Sequence, residues 1–294
     1  MEKAVYHLPG LFEFYDFYRK FLPIYREKTK YFYDWCQIGS LYGAPADCLW
    51  AGGRVSTGNA DPRQVLALTE EYGLSARLTF SNSLLRPEHL KDTKCNRLCA
   101  LFGEEPGNGV IVHSELLLDY LKEKYPNFYF VSSTTKVLTD FEDLAAETER
   151  PDFRYVVPDF RLNKAFDRLA GLKEKRKVEF LCNECCWPGC RERKACYENV
   201  SRKNLGEHCP DHICAAPEGE KGYRFSAAMK NPAFIGIRDI RETYLSMGFS
   251  QFKIEGRGLG SAMLLEFILY YLTKPEYQLP LREEMYLDSM LDLF

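Results

Sequence analysis

The 294-residue sequence lacks any run of about 18 consecutive apolar residues, the length a helix needs to cross a bilayer. Its N-terminus, MEKAVYHLPGLFEFYDFYRK, has neither the apolar stretch nor the small-residue cleavage site of a signal peptide, so the expected location is cytoplasmic, with no membrane partner. Excess charge of one sign is also missing. The 39 Lys and Arg against 42 Asp and Glu give a formal net charge of -3, without the basic footprint of a nucleic-acid binder. The Gly-x-Ser-x-Gly elbow, the Walker loop and Gly-x-Gly-x-x-Gly after a strand are absent, which removes the usual signals of serine hydrolases, P-loop NTPases and dinucleotide enzymes. No Gly/Ser linker or low-complexity tract divides the chain, so residues 1–294 are expected to form one domain.

What is present suits a folded core: 46% hydrophobic, 14% aromatic and 28% charged residues. Short β-branched or aromatic runs, each followed by a stretch of helical spacing, repeat along the chain. Expected strands cover 37–42, 76–81, 109–113, 128–132, 154–158, 177–182, a weak 233–237, and 250–255. Helical spacing covers 62–72, 87–101, 114–124, 141–148, 163–175, 191–202, 238–247 and 261–272. Eight strands alternating with eight helices predict an α/β fold, a single (β/α)8 TIM-type barrel. Residues 1–35 are expected to be an N-terminal, aromatic-rich helical extension, its helix at about 8–33, covering the bottom of the barrel. A doubly wound open sheet has the same alternation.

In such barrels the reacting groups follow the C-terminal ends of strands. The polar residues there are Tyr42 with the loop Trp50-Ala51-Gly52-Gly53-Arg54, Ser81-Asn82, His113-Ser114, Ser133-Thr134, Asp159 with Arg161 and Asn163, Asn183-Glu184, and Glu255-Gly256-Arg257. Each has an ordinary alternative. Gly52-Gly53 suits a turn, His113 and Ser133-Thr134 suit helix entries, Asp159 to Asn163 suits a turn with its cap, and Glu255 with Arg257 suits a buried ion pair. Gly256-Arg257-Gly258-Leu259-Gly260 opens a helix whose first N–H groups suit an anion.

Eleven cysteines in a long cytoplasmic chain are expected to be reduced thiols. Cys36, Cys48, Cys95 and Cys99 are scattered, whereas Cys182, Cys185, Cys186, Cys190, Cys196, Cys209 and Cys214 crowd the loop 182–216 after the expected sixth strand. Thiolates at that density point to a metal or an iron-sulfur cluster. A four-iron cluster that binds S-adenosylmethionine uses three thiolates and leaves one iron open. Cys186 and Cys190 match the first interval of Cys-x3-Cys-x2-Cys, but Arg193 occupies the third position, so Cys214, or alternatively Cys209, completes the set. The other candidate is a structural zinc site of Cys182, Cys185, Cys209 and Cys214.

The phrases FKIEGR at 252–257 and NECCWPGC at 183–190 resemble the barrel proteins related to the U32 peptidases, several of which carry iron-sulfur clusters. More narrowly, the chain resembles the queuine lyases, an atypical radical S-adenosylmethionine group. That resemblance implies a 4Fe-4S cluster, S-adenosyl-L-methionine, an electron donor such as flavodoxin or ferredoxin, and cleavage of queuine to its 7-aminomethyl-7-deazaguanine core by a 5'-deoxyadenosyl radical. It implies that Asp159 or Glu255 accepts from the base's N–H groups, that Asn82 or Asn183 donates to its carbonyl, and that Glu184 binds the diol. Tyr42 and Asn163 would complete the substrate pocket, with Glu184 and Asp159 acting in catalysis. Arg54 or Arg257 would take the methionine carboxylate, beside Asn183 and Gly256. Two rivals differ in class: a U32-like hydroxylase accessory protein with a fully ligated cluster, and a zinc barrel binding protein or RNA. The basic residues Lys173, Lys175, Arg176, Lys177, Arg191, Arg193 and Lys194 favour the second.

Overall fold

A computed structural model describes residues 2–53, 58–217 and 224–291. Eight parallel strands run β1 (Ala4–Pro9), β2 (Cys36–Gly43), β3 (Ser75–Phe80), β4 (Gly109–Val112), β5 (Tyr129–Ser132), β6 (Phe153–Val156), β7 (Glu179–Leu181) and β8 (Gln251–Lys253). Their order in the sheet is β6-β5-β4-β3-β2-β1-β8-β7. The two ends, β6 and β7, meet through a lone parallel bridge between Val156 and Val178, so the barrel is nearly closed.

Helices α1 (Tyr15–Glu27), α2 (Pro62–Glu71), α3 (Thr93–Phe102), α4 (Glu115–Lys124), α5 (Phe141–Glu149) and α6 (Phe166–Ala170) each join one strand to the next. Between β7 and β8 lie α7 (Arg193–Asn204), α8 (Phe225–Ala228) and α9 (Ile237–Asp239), the last continued by a π turn. After β8 come α10 (Ser261–Tyr271) and α11 (Gln278–Leu291). Local chemistry sets several starts. Asp61 precedes Pro62 and accepts from the Arg63 N–H at 2.7 Å, and Asp92 accepts from the Cys95 N–H at 2.7 Å. Gly73 and Gly248 end their helices in the left-handed region, at φ 63° and 89°.

Two differences from the expected layout matter. Residues 4–9 are not part of a helical extension but form β1, hydrogen-bonded between β2 and β8, and α1 is the crossover helix from β1 to β2. Residues 233–237 form no strand; the Ile235 N–H donates to the Cys182 carbonyl at 3.0 Å, and the turn into α9 follows at once. The cysteine-rich loop therefore follows the seventh strand, not the sixth.

Alternate residues on each strand face the lumen, as pleating requires. Its upper part is an apolar cluster of Tyr42, Ile111, Val131, Val157 and Leu181. Below it lies a polar layer. His7 Nδ1 is 2.8 Å from Ser40 Oγ, Arg77 Nη1 donates to Glu179 Oε2 at 2.5 Å, and Arg77 Nε donates to the Tyr129 hydroxyl at 2.8 Å. The larger core lies outside the barrel, where the other face of each strand meets the helices.

Candidate active site at the barrel mouth

The C-terminal ends of the strands enclose a cavity of about 310 Å³. Its floor includes Tyr42, Ile111 and Leu181; polar groups reach it from Thr79 and Ser81 on and just after β3, Glu184 and Cys185 after β7, and Lys253, Glu255 and Arg257 on and after β8. Thr79 Oγ1 and Ser81 Oγ are buried and have no hydrogen-bond partner among the described residues. Buried hydroxyls normally find one, so both are available to water or to a polar ligand in the cavity.

Several residues foreseen from sequence meet here. The Tyr42 hydroxyl donates to the Ile254 carbonyl at 2.6 Å, leaving its ring to line the cavity. Glu184 Oε1 accepts from the N–H groups of Cys185 and Cys186 at 2.9 and 3.0 Å, and its Oε2 pairs with Arg193 Nη2 at 2.7 Å. Arg257 is held by Glu13 at 2.7 Å and by the Ala44 carbonyl at 3.1 Å. Glu255 and Gly256 line the same wall. Gly52 has a packing reason: a Cβ there would lie 2.2 Å from the Ser81 carbonyl oxygen, so only glycine lets this loop pass the end of β3.

Other foreseen residues stand behind the cavity. The Asn82 amide donates to the carbonyls of Leu49 and Ser201 at 3.0 and 3.1 Å. Asn163 donates to those of Leu181 and Ala233, both at 2.9 Å. Asn183 clamps the Glu255 backbone, accepting from its N–H at 2.7 Å and donating to its carbonyl at 3.1 Å. Asp159 binds Arg161 Nε at 2.6 Å and faces Arg193 Nε at 3.4 Å. None of these four lines the cavity. Arg54 lies outside the described residues.

Three residues escaped the sequence. Arg193, expected on a basic surface, is buried at the start of α7 between Glu184 and Asp159, and their charges raise its pKa despite the cost of burial. Lys253 is 5% exposed, with its ammonium 3.9 Å from the Tyr42 ring centroid; burial, with Arg77 and Arg257 nearby, pushes it down to about 8 against the pull of Glu179. Thr79 is the third. The signal was present for Lys253, a lone charge inside the apolar run Phe252 to Ile254. His113, with Nδ1 2.8 Å from Thr135 Oγ1, is held down at about 4 by burial and then by Lys136 and Lys194, which keeps it neutral at pH 7.

Cys182 is buried, and that burial pushes its thiol well up. Cys186, Cys190 and Cys209 are half-buried, whereas Cys185 and Cys214 are exposed. Among the described residues, the ligand atoms that converge within 4.8 Å belong to Glu184, Cys185 and Glu255. The thiols of Cys182, Cys185, Cys209 and Cys214 do not converge as four ligands of one tetrahedral zinc would. The expected cluster ligands Cys186, Cys190 and Cys214, or Cys209, are not in that converging group either; the thiolates of a four-iron cube sit on separate corners, farther apart than the ligands of a single zinc. His208 and His212 stand four apart, a spacing that serves zinc on a helix, but 207–215 is not helical.

No protein-family model and no curated protein matches the chain. Among solved structures, the U32 peptidase Mk0906 is similar in fold, with a TM-score of 0.56 over 88% of this chain and 94% of that one, at 14% sequence identity. The likeness places the chain with barrels of that shape, and at this identity it speaks for the fold alone.

Proposed function

We propose that the chain is a radical S-adenosylmethionine-type lyase that cleaves queuine, or a related 7-deazaguanine, at its aminomethyl C–N bond. The observation that carries this is the opening of the cysteine loop directly into a polar mouth cavity, with Glu184 and Cys185 lining the same space as the unpartnered hydroxyls of Thr79 and Ser81. Cys186, Cys190 and Cys214, or Cys209 in place of the last, would hold a 4Fe-4S cluster; the donors are soft thiolates, and buried Arg193 stands near Cys186 to offset negative charge there. When bound, the cluster and S-adenosylmethionine supply hydrogen-atom abstraction from carbon.

The chain's own residues bind, orient and exclude water. Glu184, fixed by two N–H groups and Arg193, is set to accept from a diol, and Glu255 from the N–H edge of a guanine-like base. Thr79 and Ser81 supply hydroxyl partners, and Tyr42, Ile111 and Leu181 keep the floor dry. Asp159 and Asn163 serve from behind, the first through Arg193 and the second by tying β7 to residues 231–235.

Anaerobic purification with iron and sulfide analysis, followed by a reductant-dependent assay for 5'-deoxyadenosine with and without queuine, tests the proposal. About four irons per chain and queuine-stimulated 5'-deoxyadenosine are expected. A colourless protein with one zinc overturns it. The shared fold with a U32 peptidase favours a second reading, a peptide-cleaving barrel, which the same preparation tests by incubation with unfolded protein substrates.

A further inference from the structure

We infer that Lys253 is a covalent carbonyl-capture site, whose side-chain amine forms a reversible imine with a small hydroxylated aldehyde or ketone seated in the mouth cavity. The inference uses none of the cysteines and goes beyond the lyase proposal, so either can fail without the other.

The geometry is that of a lysine held inward at the end of a barrel strand. Lys253 is the last residue of β8, is 5% exposed, and lines the cavity. Its amine stands 3.9 Å from the Tyr42 ring centroid and 3.7 Å from Glu179 Oε1. The charged and titratable groups around it come from five places: His7 on β1, Tyr42 on β2, Arg77 on β3, Glu179 on β7, and Glu255 with Arg257 after β8. Burial and the two guanidinium groups outweigh Glu179 and leave the ammonium at about 8. At pH 7 about a tenth of such an amine is neutral, against well under a thousandth of an ordinary surface lysine.

The cavity also states what kind of carbonyl compound fits. The unpartnered hydroxyls of Thr79 and Ser81 face the same space and call for hydroxyl groups on the ligand. A volume of about 310 Å³ suits a small molecule, and Ile111 and Leu181 give the cavity an apolar floor beside the amine. The neutral amine adds to the carbonyl carbon, forming a C–N bond, and its proton passes to the carbonyl oxygen. Loss of water then breaks the C–O bond and leaves C=N, which in its protonated form faces the Glu179 carboxylate. No electrons change hands, and hydrolysis runs the sequence backwards.

The test treats the purified full-length chain with glyceraldehyde and sodium cyanoborohydride at neutral pH, where the hydride reduces C=N to a stable secondary amine. Intact mass and peptide mapping are expected to show one fast addition at Lys253, ahead of exposed lysines such as Lys91 and Lys173. Lys253→Met should lose the fast adduct and retain the slow ones. Ser81→Ala, which keeps the lysine, should slow it several-fold. Labelling spread over exposed lysines, with Lys253 unmodified in the folded wild-type protein, overturns the inference; that wild-type map decides the matter even if Lys253→Met does not fold.

Discussion

At the scale of single residues, the mouth is organised by Arg193. It is 2% exposed, pairs with Glu184 and faces Asp159, and packs its guanidinium over the Phe160 ring at 4.8 Å. Removing one member of a buried charge group strands the others. Arg193→Met is therefore expected to lose about 3–5 kcal/mol of stability in urea denaturation. The unpartnered hydroxyls predict the opposite pattern. Thr79→Val removes a buried hydroxyl that has no partner among the described residues and should not lower stability, yet should weaken ligand binding by about 0.5–1.5 kcal/mol, measured by titration calorimetry with queuine. Arg193 was visible in the sequence as the residue that breaks a cysteine spacing and as one of a basic cluster. Its burial was not, because Glu184 and Asp159 reach it from the ends of two other strands.

At the scale of elements, the cysteine loop and the barrel seam carry the consequences. Cys182 still sits against the strand end, its thiol donating to the Phe180 carbonyl at 3.6 Å, while Cys186 and Cys190 lie beyond it. Cys186→Ser and Cys190→Ser are expected to abolish iron binding after reconstitution, whereas Cys182→Ala keeps the iron and loses stability. The seam between β6 and β7 rests on one bridge, while all six residues of β1 pair with β2, across one bulge. Amide hydrogen exchange should accordingly be faster in 153–156 and 178–181 than in 4–9 and 36–43. Most elements were legible because their apolar period, caps and stop glycines agree, as at Asp61-Pro62 and Gly73. β1 was not: AVYHLP is six residues long, ends on proline and runs straight into the aromatic stretch of α1, so it passed as part of a helical segment. The run 233–237 misled in the other direction, since Ala233 and Ile235 are buried near the end of β7 without joining the sheet.

At the scale of the whole molecule, the lumen sets the response to acid. Burial alone would raise Glu179, but Arg77, His7 and Lys253 overcome it and hold the carboxyl at about 2, against 4.5 ordinarily. Burial, then Arg77, holds His7 at about 3, against 6.5. In both cases the unfolded chain takes up its proton first, so the stability these two groups contribute is full above about 6.5, falls as His7 would titrate, and falls further below 4.5. Melting temperature should decline steadily from pH 7 to pH 3, and His7→Asn should flatten the upper part of that decline. The sequence by itself determined the alternation of strands and helices, and with it the α/β class, and the crowding of thiols and carboxylates just past strand ends, because period and local turn chemistry are properties of neighbouring residues. Only the tertiary structure decided that His7, Arg77, Glu179 and Lys253, on four different strands, share one lumen, and that Asn82 and Asn163 bind backbone while Thr79 and Ser81 face the cavity. Strand register and closure are long-range choices: pleating tells which side chains share a face, and only the assembled barrel tells which of them meet.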